Sequence, residues 1–231
     1  MSQISKNLEL IRDRMNKAAR RAGRDPEGVR LVAVSKRQPV DLIHEAFACG
    51  QTLFGENYLQ ESALKIEQLD RGISWHFIGH LQSNKAGAAA NMFDMVETVD
   101  RLKVARVLDR SFEEGSKGVL PVLIQVNIGR EPQKSGVMPE DIAGLLRDIK
   151  QLKNVKAQGL MVMPPLCADP EMVRPYFRAA RGLALSLSDQ GLLASDGNFE
   201  LSMGMSGDYE VAIEEGATLV RVGTALFGAR P

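Results

Sequence analysis

One feature constrains this chain more than any other: short apolar runs and amphipathic stretches take turns along almost its whole length. The runs are Val29–Ser35, Thr52–Glu56, Trp75–Gly79, Met95–Val99, Val119–Ile128, Ala157–Met163, Glu200–Met205 and Thr218–Gly223. Helix-patterned stretches lie between them, near residues 39–49, 57–70, 81–92, 101–114, 139–152, 170–190 and 208–215. Strands separated in this way pair in parallel, because parallel neighbours need a crossover connection. The runs are continuously apolar, as expected of strands covered on both faces. Eight strands in 231 residues fit a (β/α)8 barrel, which takes ~250. A doubly wound open sheet is the alternative, but the Gly-x-Gly-x-x-Gly fingerprint is missing after the first run. The expectation is one TIM-type barrel domain over residues 1–231, with an extra helix in front. That helix carries Ile4, Leu8, Ile11, Met15, Ala18 and Ala22 at helical spacing, Ser2 or Ser5 as cap and Gly23 as stop. It is surplus to the repeat and packs on the outer wall or closes one end.

Composition narrows the function. Lys+Arg and Asp+Glu are both 29, which removes the electrostatic footprint of a non-specific nucleic-acid or anionic-membrane binder. Cys49 and Cys167 are far apart with no Cys-x-x-Cys spacing, so neither a disulfide framework nor a thiolate metal site is expected. The polar N-terminus carries no secretory signal, and no apolar run approaches the ~20 residues of a membrane span. A cytoplasmic protein is expected.

Barrels of this kind place their chemistry at the C-terminal ends of the strands. There the sequence sets Lys36, Glu56-Asn57, His80, Asn127, Met163-Pro164, Met203-Gly204-Met205-Ser206, and then Arg221, Gly223 and Thr224. Lys36 closes the run Leu31-Val32-Ala33-Val34-Ser35. Burial there would lower its pKa and favour attack on a carbonyl, the chemistry of a Schiff-base lysine. Gly204 to Gly207 follow strand seven, and Gly223-Thr224 open a short turn, Ala225 to Gly228. Barrels frequently bind phosphate at these two loops, through free backbone N–H groups and hydroxyl donors; ordinary turn glycines and a serine cap are the plain alternative. Arg221, inside an apolar strand, needs a polar ligand or a buried carboxylate, and Glu56 is the structural candidate. His76 and His80 are four residues apart, a zinc-like spacing on a helix, but they lie on a strand with no third ligand, so no metal is expected. Met161, Met163, Met203 and Met205 read as barrel filling.

The motifs Val32-Ala33-Val34-Ser35-Lys36, Phe54-Gly55-Glu56-Asn57-Tyr58, Trp75 through Lys85, Ser202 through Ser206 and Val220 through Gly228 stand in order. Together they resemble the pyridoxal phosphate homeostasis protein family, single-domain relatives of the N-terminal barrel of alanine racemase. The resemblance covers essentially the whole chain. It implies pyridoxal 5′-phosphate held as an aldimine on Lys36, with Ser206, Gly223 and Thr224 at the phosphate. It implies Arg221 at the pyridine nitrogen, and Asn57, His80, Ser202 and Met203 around the ring. The family's Lys-Ser-Gly after strand five is matched by Lys134-Ser135-Gly136. The implied role is vitamin B6 homeostasis, buffering the cofactor and delivering it to apo-enzymes, without catalytic turnover. Racemization needs an acid/base on each face of the cofactor, which relatives supply from a second domain; none follows in this sequence, and a monomer is expected. An arginine at the ring nitrogen also makes a weaker electron sink. A weak amino-acid racemase or another fold type III enzyme is the alternative. A cofactor-free Schiff-base aldolase would leave Arg221 unexplained.

Overall fold

Strands that are apolar on both faces need cover on both, and the chain supplies it by closing the sheet on itself and wrapping helices around it. The computed structural model describes residues 2–69, 71–113, 118–194 and 198–229. The parallel strands are β1 (Arg30–Val34), β2 (Leu53–Glu56), β3 (Ser74–Phe77), β4 (Met95–Val99), β5 (Leu120–Val126), β6 (Val155–Val162), β7 (Glu200–Ser202) and β8 (Leu219–Val222). Each pairs with the next, and β8 pairs with β1, so the barrel is closed in sequence order. The helices are α1 (Gln3–Arg21), α2 (Val40–Ala48), α3 (Leu59–Ile66), α4 (Ala86–Met92), α5 (Leu102–Glu113), α6 (Ile142–Ile149), α7 (Arg174–Asp189), α8 (Tyr209–Glu214) and α9 (Thr224–Phe227).

The (β/α)8 expectation therefore holds, while several boundaries move inward. The seventh strand ends at Ser202, not Met205, and the stretch near 170–190 opens as a 3-10 turn at Pro170–Val173 before α7 begins. Asp70 and Glu114, where two helices were expected to end, lie outside the described residues.

Period-two alternation sorts the strand residues into two cores. Val32, Leu53, Met95, Leu123, Met161 and Leu219 form a small cluster inside the barrel. A much larger cluster fills the space between strands and helices, with Phe54, Trp75, Phe77, Leu120, Ile124 and Phe177 among its members. The first helix belongs to that outer layer. Ser2 caps it by accepting from the Ser5 N–H, and Gly23, in the left-handed region at φ 66°, turns the chain beyond Ala22. Its buried face is Ile4, Leu8, Ile11, Met15, Ala18 and Ala19, packed on α8, α9 and α2. Removing the four larger side chains of that face from water stabilises by at most about 6–12 kcal/mol. The Asn7 amide donates to the Leu226 carbonyl at 2.7 Å, tying α1 to the turn after β8. Among the described residues no helix is long and apolar enough to cross a membrane.

Candidate functional site

Register decides what meets at the barrel mouth. Val32 lies opposite Arg221 and Ala33 opposite Val222 in the β1–β8 ladder. Residues two apart share a face, so Val34 and Lys36 continue the side on which Arg221 and Gly223 stand. They converge on a cavity of about 280 Å³, lined among others by Lys36, Asn57, Ser206, Arg221, Gly223 and Thr224. Met161, Met163 and Met205 also line it. Six of the nine expected site residues thus face one hollow, drawn from strands or loops of β1, β2, β7 and β8.

Two loops form the end of the cavity nearest α9. The Ala225 N–H points to Ser206 Oγ at 3.5 Å, drawing the turn after β7 against the first turn of α9. A Cβ on Gly223 would lie 3.3 Å from both Cβ and O of Val34. The residue is thus small because two parallel strands close on each other there. Gly223→Val should lower retention of a phosphate-bearing ligand at least about tenfold, one charge-assisted hydrogen bond's worth. Equilibrium dialysis checks this, with Thr224→Ser expected to bind nearly as wild type.

The other three expected residues stand elsewhere. Ser202 is fully buried one layer down, donating to Glu97 and accepting from Arg221. Met203 points outward into the helix-facing core, so it fills the wall and does not border the cavity. Its parity explains this, since neighbours along a strand face opposite sides. His80 is exposed, 3.1 Å from Ser135 Oγ, in an adjoining hollow that shares Asn57, Ile78 and Met163 with the first. His76 instead points inside the barrel to Glu97, so the two histidines do not converge. Lys134 lies beside His80, bonded to Glu131 and the Pro164 carbonyl.

The structural alternative for Arg221, an ion pair with Glu56, is not formed. That carboxylate turns toward α3, where it accepts from Lys65 Nζ and Ser35 Oγ, both at 2.7 Å. Burial pushes its pKa up, against the pull of Lys65 and Ser35. Lys65 Nζ donates as well to the Ser35 carbonyl at 2.7 Å and to Glu61 Oε1 at 2.5 Å. Glu61 accepts in turn from the Arg37 N–H. Arg37 stands in the left-handed region, at φ 58°, a conformation that costs a non-glycine residue about 1–3 kcal/mol. Lys36 is therefore flanked by two anchored peptides, and its backbone is fixed from outside the barrel wall.

Asn57 brings a spare acceptor to the cavity. Its Oδ1 is buried with no hydrogen-bond partner, although the residue lines the cavity. Leaving such an acceptor unsatisfied costs about 1–3 kcal/mol.

Comparison with known proteins gives the family and the fold. Residues 6–231 match the family described as the alanine racemase N-terminal domain. A pyridoxal phosphate homeostasis protein of Pseudomonas aeruginosa is 46% identical over 233 residues, covering 100% of this chain and 97% of that one. The chain belongs to the pyridoxal phosphate homeostasis protein family. The family's Escherichia coli K12 protein is 42% identical over 235 residues, covering 100% and 98% of the two chains. Among solved structures, PipY of Synechococcus elongatus with PLP bound superposes with a TM-score of 0.84 at 38% identity, covering 97% of this chain and 100% of that one.

Proposed function

We propose that this chain holds pyridoxal 5′-phosphate on Lys36 and serves intracellular vitamin B6 homeostasis, storing and delivering the cofactor without turning over a substrate. The observation that carries the reading is the convergence of a lysine, an arginine and two glycine-bearing loops on one cavity at the C-terminal mouth of the barrel. Similarity to a PLP-bound structure across the full chain supports it.

The residues fit the cofactor. Lys36 would hold the cofactor by its aldehyde, and the bound group would supply a carbonyl carbon with which an amine can condense. Ser206, Gly223 and Thr224 would offer hydroxyls and backbone N–H groups to its phosphate, Asn57 would bring its unpaired acceptor, and Arg221 would donate to its ring. A guanidinium stays charged at physiological pH and only donates, so the ring remains a poor sink for electrons. This disfavours racemase chemistry at the same site. In this reading residues 1–231 act as one cytoplasmic barrel domain, monomeric, with apo-enzymes that need the cofactor as recipients.

Incubation of the loaded protein with L-alanine in heavy water tests the reading. The expected result is spectral change on amine addition with no substantial deuterium at the α-carbon. Exchange and inversion at rates typical of enzymes, ~1–10³ s⁻¹, would install the racemase instead.

A further inference from the structure

From Arg221 at the cavity a chain of buried polar groups runs down into the barrel interior. Glu97 on β4 is fully buried, with Oε1 2.7 Å from His76 Nδ1 on β3. Its other oxygen accepts from Ser202 Oγ on β7 at 2.5 Å. Ser202 Oγ in turn accepts from Arg221 Nη1 on β8 at 2.6 Å, and Arg221 Nη2 donates to the Val162 carbonyl on β6 at 2.9 Å. One hydroxyl therefore accepts from a cation and donates to an anion, which its single O–H and two lone pairs allow. We infer that Glu97, through Ser202 and with His76 behind it, is a positioning residue that fixes the Arg221 guanidinium at the floor of the Lys36 cavity.

The energetics favour this over simple filling. Aliphatic side chains fill the neighbouring inward-facing positions, and replacing a buried ion set by hydrophobic residues is often neutral or stabilising. Burial alone would push the Glu97 carboxyl up. The His76 hydrogen bond, with Arg221 and Ser202, outweighs that and holds it below the ordinary range. Burial pushes Arg221 down, opposed by Glu97 from inside the barrel and by Asp208 from the loop before α8. Among the described residues those two carboxylates act on the guanidinium, and Lys36 shares the cavity it lines. Anchored at two points from below, the planar fork presents a fixed edge to the cavity.

What the anchor does rests on the cofactor reading above. A fixed guanidinium opposite the ring nitrogen keeps that nitrogen unprotonated, whereas a mobile one lets it take a proton. The test loads wild type, Glu97→Gln and Ser202→Ala with pyridoxal 5′-phosphate, then follows absorption against pH and retention on dialysis. Both variants are expected to show a proton-dependent spectral transition that wild type lacks, with retention at least about tenfold weaker. A variant that melts lower yet keeps the wild-type pH profile and retention would overturn the inference, because a merely structural role moves only the melting temperature. If Glu97→Gln does not fold, Ser202→Ala cuts the link without removing a charge and decides alone. Wild type that takes up no cofactor defeats the parent reading, and the anchor's role at the ring with it, before any variant is compared.

Discussion

Lys65→Met should cost about 3–5 kcal/mol, the range for breaking a buried ion pair from one side. Lys65 is buried on α3 and its ammonium serves Glu56, Glu61 and the Ser35 carbonyl at once. Methionine keeps most of the volume and none of the donors. Glu56, which already has one oxygen without a partner, would then keep only the Ser35 hydroxyl. For a chain of this length the loss corresponds to roughly 6–20 °C in melting temperature. Pairing the change with Glu56→Leu should recover most of it, because the orphaned carboxylate goes too. Urea unfolding of the two variants is the check; a single variant within about 1 kcal/mol of wild type, a surface ion pair's worth, would refute the clamp. Cofactor retention should fall as well, since the released Ser35 carbonyl immediately precedes Lys36.

Gly79→Ala should be at least as severe. A Cβ there would lie 2.2 Å from the Asn57 carbonyl oxygen and 2.7 Å from its Cα. Both are backbone atoms, so relief requires the end of β2 to move away from β3. The Ile78 N–H to Glu56 carbonyl bond and the Thr98 hydroxyl bond to the Gly79 carbonyl would be strained by that movement. Destabilisation above about 4 kcal/mol, in the exceptional tail for point changes, is expected, along with displacement of Asn57 from the cavity. Gly182→Ala is the control: a Cβ at that helical position meets nothing within 4 Å, and about 1 kcal/mol of stabilisation is expected there. Thermal unfolding of the pair should therefore move in opposite directions.

The barrel was legible because its signal is repetitive: each apolar run implies a covered strand, and each amphipathic stretch its crossover. Lys36, Ser206, Arg221, Gly223 and Thr224 could be placed from that pattern alone, since strand ends in a closed parallel barrel share one mouth. What failed was parity. Whether Glu56 points in or out depends on a register that no local pattern carries, and it turned outward to Lys65 instead of inward to Arg221. Met203 came to the ring through the family resemblance and not through any count along the strand; alternation turns it into the helix-facing core, while Ser202 beside it faces inward. Lys65 was missed because a lysine four residues after Glu61 on a helix reads as an ordinary surface pair. Glu97 had a usable signal, a carboxylate in the middle of Met95-Val96-Glu97-Thr98-Val99. Buried charge in an apolar strand demands a partner, and that demand points to the interior chain of His76, Ser202 and Arg221.

Borohydride reduction of the cofactor-loaded protein followed by peptide mass mapping tests the central claim most directly. Reduction converts a Schiff base into a stable secondary amine and marks the lysine that carried it. The pyridoxyl label is expected on Lys36, with Lys36→Ala losing the label while melting close to wild type. Label mainly on Lys85 or Lys134, or undiminished labelling of Lys36→Ala, would contradict the assignment of Lys36 as the cofactor's anchor.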